Sequence, residues 1–298
     1  MSSSNPALLE GATRDLADFA AALQFEDIPG EVVERIKTSV LDSIGCCLFG
    51  ATLPWTQHVQ AMVEEEGSAG AASLFGSGKK TSVSGAVLVN ATAGHAFELD
   101  DIHKESIIHP GSIALPVTLA LAERAGGVSG RDLITALVAG YEIGTRVGNA
   151  ATMSLFFRGF HPQGTSGVFV AAAAAGRMLG LDGLQMQHAL GIAGSQAGGL
   201  MAAQEGAMVK RFHSGRAAQS GVYSAFLGQK GFTGIMDVLE ASYGGFLSVY
   251  SDKPNAARLT DGLGQVWETG KIGYKPHASV TSIHAALDAL AYIMKVHS

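Results

Sequence analysis

Cysteine is nearly missing from this chain: Cys46 and Cys47 are the only two in 298 residues. Neighbours on a helix point in different directions, so a disulfide framework or a zinc site is a poor use for them and buried packing is the expected one. A reducing, cytoplasmic setting is expected to follow. Charge is scarce as well, at 15% of residues with a net charge of −6. The 20 lysines and arginines are scattered rather than gathered into a stripe, which argues against a nucleic-acid partner. No apolar run reaches bilayer length, since Val168 to Leu181 is short and interrupted by Arg177, so no membrane span is expected. Met1 to Pro6 carries neither the basic region nor the apolar core of a secretion signal.

What the chain does have is apolar, helical sequence. At 47% hydrophobic residues it has enough to bury a large core. Val32, Val33, Ile36, Val40, Ile44 and Leu48 recur at three- and four-residue steps between Pro29 and Gly50, the pattern of an amphipathic helix with its stop signal. Ser129 with Asp132 three residues on predicts a capped helix over about 130–148, with Ile134, Leu137, Val138 and Tyr141 on one face. Further helices are expected over 7–23, 83–98, 115–125, 165–179, 184–200, 214–229 and 279–295, with glycine or proline at most joints. Ala71–Phe75 and Val266–Tyr274 are the best strand candidates, too few for a large sheet. A mostly α, all-helical array is therefore expected. Its many alanines and 39 glycines allow helix axes to approach closely, and no repeat period suggests a solenoid.

Four stretches carry chemistry. Gly76–Thr81 looks like a phosphate loop, but Ser73 stands where the first glycine belongs and Lys80 follows Lys79, so a turn is the better reading. Residues 94–112 crowd His95, Glu98, Asp101, His103 and His109 together. With Glu98 and Asp101 one turn apart on a helix, they fit a metal site, a general acid/base site or a solvated helix end. Phe160–Gly167 runs into an alanine-rich helix, placing Thr165 and Ser166 at a positive end able to hold a carboxylate, or simply to cap it. Lys210, Arg211 and His213 precede Ser214, a candidate N-cap; cations at a helix start oppose its dipole unless an anion is expected there. Asp101, His103, Thr165, Ser166 and Arg211 are thus binding candidates.

The ordered motifs "HAFELDDIH", "HPGSIALPVTLALAE", "GYEIGTRVG", "GFHPQGTSG", "ALGIAGSQAGGLMAAQEGAMVKRFHSGRAAQSG" and "GYKP" resemble the MmgE/PrpD family over nearly the whole chain. That family includes 2-methylcitrate dehydratase, cis-aconitate decarboxylase and iminodisuccinate epimerase. The resemblance implies a large helical domain, here 1–264, and a smaller α+β lid domain beginning at 265–298. It also implies a homodimer and catalysis without metal or organic cofactor. Residue by residue, Glu98 falls on the family's active-site acid, His109 on its His-Pro histidine and His161 on the Phe-His-Pro histidine. Lys210 matches the lysine before the next helix, and Lys275 the lysine entering the lid. These imply a cofactor-independent lyase acting on a citrate- or aconitate-like polycarboxylate, with dehydration ahead of decarboxylation and epimerisation.

Two departures leave the substrate open. Ile102 stands where decarboxylase-like members can carry a hydroxyl residue, and His277–Ala278–Ser279 replaces a stretch that often contains cysteine. Relative to the family, the chain looks truncated within the first lid helix. Weak turnover by residues 1–298 alone is therefore expected, with Ile283, Leu287, Leu290 and Met294 partly exposed. A non-catalytic helical protein that lost its lid is the alternative of another class.

Overall fold

The computed structural model describes residues 10–297. The chain folds as packed helices: α1 (Ala12–Ala22), α2 (Gly30–Gly50), α3 (Pro54–Glu65), α4 (Val83–Gly94), α5 (Gly111–Arg124), α6 (Gly130–Phe157), α7 (Pro162–Thr165), α8 (Gly167–Met178), α9 (Gly183–Gly194), α10 (Val209–Gln229), α11 (Phe246–Tyr250) and α12 (His284–His297). The sheet is one two-residue antiparallel pair, β1 (Ala72–Ser73) with β2 (Lys80–Thr81). Gly76 and Gly78 take positive φ in the turn between them, so the phosphate-loop look-alike is a hairpin turn. Among the described residues no single helix is long and apolar enough to cross a membrane.

Alanine and glycine decide the packing. Helix α8 lies at the centre with Gly167 to Gly176 buried on every side, and α4, α5, α6, α9 and α10 form the packed body around and beside it. Small side chains make this closeness possible. A Cβ on Gly144 of α6 would lie 2.0 Å from a Val170 methyl, and one on Gly221 of α10 would lie 2.3 Å from Ala171 Cβ. The same preference redirects α2. Its inner side toward α4 is Ser39, Ser43, Cys46, Cys47 and Gly50, whereas Leu41, Ile44, Leu48 and Phe49 remain exposed. The apolar row read from the sequence is therefore buried at Val32, Val33 and Ile36, partly buried at Val40, and turned to the surface at Ile44 and Leu48. Both cysteines are buried and free, as expected.

Several boundaries differ from the sequence expectation, and each has a local cause. The expected start of the first helix at residues 7–9 lies outside the described residues. Helix α3, entered by Pro54 at its first turn, was hidden by a mixed polar pattern. Helix α4 ends at Gly94, so residues 95–98 leave the helical axis. Helix α9 stops at Gly194, before the glycines at 198 and 199. Helix α6 runs on to Phe157 through a kink at Thr152, where φ is 60° and ψ −178°. A β-branched residue there is strained.

Val266–Tyr274 is not a strand. It contains a 3-10 turn, Glu268–Lys271, and a single antiparallel bridge between Gly273 and Ile102. The buried pair Glu142 and Arg146 on α6 explains why. Glu142 accepts hydrogen bonds from the Glu268 and Thr269 backbone N–H groups, and Arg146 donates to the carbonyls of Asp261 and Val266. Those contacts consume the polar backbone that a sheet would need. Tyr274 then donates its hydroxyl to the Arg35 carbonyl of α2, so the body is continuous through Lys275, which is itself buried. Helix α12 is different: none of its residues is buried, and Leu290 and Met294 are more than half exposed.

Candidate active site

The acidic and histidine-rich stretch after α4 is a compact loop, which corrects the expectation of one helical face. His95 closes α4, Glu98 sits at a φ of 62°, and Ile102 bridges Gly273. His109 and Pro110 then lead into α5. Gly111 opens α5 in a place only glycine fits, because a Cβ would stand 2.2 Å from Ser43 Oγ and 2.9 Å from Asp101 Oδ1. The Ile102–Gly273 bridge brings Lys275 beside Glu98 and Asp100, although they are far apart in sequence.

Helix α10 begins at Val209, so Lys210, Arg211 and His213 lie in its first turns and Ser214 is no N-cap. Ser214 is buried and its hydroxyl accepts from Gln163 Nε2 at 3.0 Å. The anion that cations at this helix start call for is present: Glu98 pairs through Oε1 with both Lys210 and Arg211. Lys275 Nζ donates to the Glu98 carbonyl at 2.9 Å and stands 3.8 Å from Glu98 Oε2. Burial opposes ionisation of Glu98, but His95, Lys210 and His109 together hold its carboxyl far below the usual carboxylate range. A φ of 62° is strained for a non-glycine residue, and the contacts with Lys210, Arg211 and Lys275 hold Glu98 in place.

A cavity of about 650 Å³ opens here, with Glu98, His109, His161, Lys210, Arg211 and Lys275 in its walls. Ile102, Met153, Phe156 and Met201 supply apolar lining. The six residues include all five that the family resemblance selected, together with Arg211. An adjoining opening of about 690 Å³ shares Lys104 and Met153 with it. Its charges are largely paired within it, Arg158 with Asp252 and Arg258 with Glu105.

Each histidine is fixed by a different neighbour. His109 Nδ1 lies 2.7 Å from the Asp101 carbonyl, which can only accept, so Nδ1 carries the proton and Nε2 is left for the cavity. Gln163 clamps the His109 backbone from both sides, accepting its N–H at 2.9 Å and donating to its carbonyl at 3.1 Å. Burial foremost lowers His109 to about 4, against the pull of the Asp100 carboxylate. His161 precedes α7, and its Nδ1 meets His213 Nδ1 at 2.9 Å, so the two rings share one proton on that line. Burial first, then neighbouring positive groups, hold His161 well below its ordinary value. Sequence reading noted His213 and His95 but did not select them, and it passed over Asp100. Their only signal is adjacency to chosen residues; His213 meets His161 from a different helix, whereas His95 and Asp100 pair with each other within one loop.

The other binding candidates do not line the cavity. His103 faces away, with Nδ1 2.9 Å from Ser106 Oγ and Nε2 3.0 Å from Glu268 Oε2. Thr165 donates to the His161 carbonyl, and Ser166 is fully buried at the joint of α7 and α8. The positive helix end expected at these hydroxyls belongs instead to the short α7, which starts one turn earlier. Asp101 is enclosed, accepting from Gly111 N–H at 3.0 Å and from the Tyr141 hydroxyl at 2.8 Å.

Burial, reinforced by the nearby Asp42 and Asp100 charges, pushes the Asp101 carboxyl up to about 8 from an ordinary 3.8. The folded state therefore holds a proton that the unfolded chain has lost, and stability from this group falls as pH rises through that window. Asp101→Asn mimics the neutral acid, so its stability relative to wild type is expected to increase from about pH 4 to about pH 8. Urea unfolding across that range checks this; parallel curves for the two proteins would contradict it.

His95, Asp100 and His109 place potential ligand atoms within 4.8 Å of one another. Lys275 Nζ, 3.7 Å from Asp100 Oδ1, already supplies positive charge there. A divalent cation would have to share that space with an ammonium group, which opposes its binding.

The MmgE/PrpD N-terminal domain matches residues 14–259. A cis-aconitate decarboxylase-like protein of Aspergillus oryzae is 37% identical over 298 residues, an alignment covering 95% of this chain and 61% of that protein. Cis-aconitate decarboxylase of Aspergillus terreus is 39% identical, with 94% and 59% covered. The human protein of the same name is 31% identical, with 97% and 60% covered. The chain thus spans about three-fifths of the length of the curated relatives it matches.

Proposed function

The chain belongs to the MmgE/PrpD family, and from that premise we propose that it is a lyase domain that decarboxylates a cis-aconitate-like tricarboxylate without a metal or organic cofactor. The observation carrying this reading is the facing of three cations, Lys210, Arg211 and Lys275, with two cavity histidines, His109 and His161. The cations bind substrate carboxylates in competition with Glu98. Loss of carbon dioxide breaks a carbon–carbon bond and leaves its electron pair delocalised over the adjoining double bond and carboxylate. Fixed positive charge in a partly apolar cavity stabilises that developing charge. A proton delivered to carbon by His109, with His161 as the second candidate, completes the reaction. The names of the relatives favour decarboxylation over the dehydration that the motifs placed first.

The test is an NMR assay of the longest natural form of the chain with cis-aconitate, 2-methylcitrate, citrate and iminodisuccinate, before and after chelation. The expected result is carbon dioxide release from the cis-aconitate-like acid alone, unchanged by chelator. Dehydration or epimerisation without decarboxylation, or activity lost on chelation and restored by a metal, would overturn the proposal.

A further inference from the structure

We infer that Asp100, oriented by His95, is a positioning residue that lets His109 carry a proton inside a cluster of cations. This rests on the proposed role of His109 as proton donor. The Asp100 and His95 side chains are completely buried, and Asp100 Oδ2 pairs with His95 Nδ1 at 2.8 Å. The opposite atoms of this pair, Asp100 Oδ1 and His95 Nε2, have no hydrogen-bond partner. Leaving such buried atoms unpaired is costly, and the large majority of buried polar side-chain atoms in folded proteins are paired. Asp100 Oδ1 instead stands 3.5 Å from His109 Nδ1 and 3.7 Å from Lys275 Nζ. The His95 ring lies between the other two, with centroids 4.9 Å from His109 and 5.8 Å from His161.

The charges around His109 show why Asp100 matters. The positive or protonatable groups are Lys275 from the segment after α6's clamp, Lys210 from α10, His161 beside α7, and His95 at the end of α4. The acids are Glu98, Asp100 and Asp101 in the loop and Asp42 on α2. Glu98 is committed to the cations that would receive substrate. Burial foremost pushes Asp101 up to about 8, so it is a poor source of negative charge near neutrality, and Asp42, raised to about 6, accepts the Asp101 backbone N–H rather than facing His109. Asp100, held well below the usual range by His109 and His95 despite its burial, is the anion that remains. In the reaction His109 Nε2 gives its proton to carbon and becomes neutral, its Nδ1–H stays on the Asp101 carbonyl, and Asp100 remains ionised throughout. The proton is replaced from solvent after product leaves.

The experiment is nitrogen-15 NMR titration of histidine-labelled protein, without substrate, in wild type, Asp100→Asn and His95→Gln, paired with pH profiles of kcat. Asp100→Asn is expected to lower the His109 pKa by about one unit. Its kcat above that pKa should fall about tenfold, more than any change in apparent affinity, and the limb reporting protonated His109 should move to lower pH. His95→Gln, which keeps Asp100, should show a smaller shift in the same direction, and it carries the test alone if Asp100→Asn does not fold. An unmoved His109 titration in a folded variant overturns the inference. A shifted titration without any decarboxylase activity in wild type leaves Asp100's control of His109 standing and overturns the proposed reaction instead.

Discussion

Turnover by a His109→Ala variant is expected to fall roughly a hundredfold or more while the fold is retained. The side chain is largely buried, yet its ring makes one close hydrogen bond, to the Asp101 carbonyl. The clamp from Gln163 uses only His109 backbone atoms and survives the substitution. Truncation therefore removes the proposed proton donor and leaves the loop anchored. Circular dichroism and thermal unfolding close to wild type, together with the loss of turnover in the NMR assay, would confirm the role. Near-normal turnover would transfer the proton step to His161.

Lys275→Met should weaken the protein by about 3–5 kcal/mol as well as abolish turnover, because it strips charge from a buried ion-paired cluster. Lys275 is enclosed, donates to the Glu98 carbonyl, and faces both the Glu98 and Asp100 carboxylates. Each of those acids is held below its ordinary value, 4.5 for Glu98 and 3.8 for Asp100. A depressed carboxylate stabilises the fold above its unfolded value, and that contribution is lost as pH falls through the folded one. The deficit of Lys275→Met is therefore expected to be full at neutral pH and to narrow progressively below about pH 4. Denaturant unfolding at several pH values measures it. A deficit that does not change with pH would mean that packing of the lysine stem, rather than charge, is what was lost.

The individual residues explain how far sequence reading reached. His109, His161, Lys210 and Lys275 were legible because each belongs to a short motif with its own turn signal or family match, and all four line one cavity. Arg211 followed from its place beside Lys210. Asp101 and His103 were misplaced because a helix carried past Gly94 would have turned them toward one face, whereas the chain breaks there and turns them inward. Thr165 and Ser166 were misplaced by a similar error of one turn. The pairing of His213 with His161 spans 52 residues, and no local pattern marks it.

The sequence by itself determined the mostly helical class, since apolar spacing of three and four residues and abundant alanine and glycine favour close-packed helices. It also offered the side chains on which the proposed chemistry rests. Only the tertiary structure decided which of them meet. Glu98 receives Lys210 and Arg211 from α10 and Lys275 from beyond α6, across more than 100 residues in each case. Side-chain direction is set by where each helix breaks and by which distant surface packs against it, and both are properties of the assembled core.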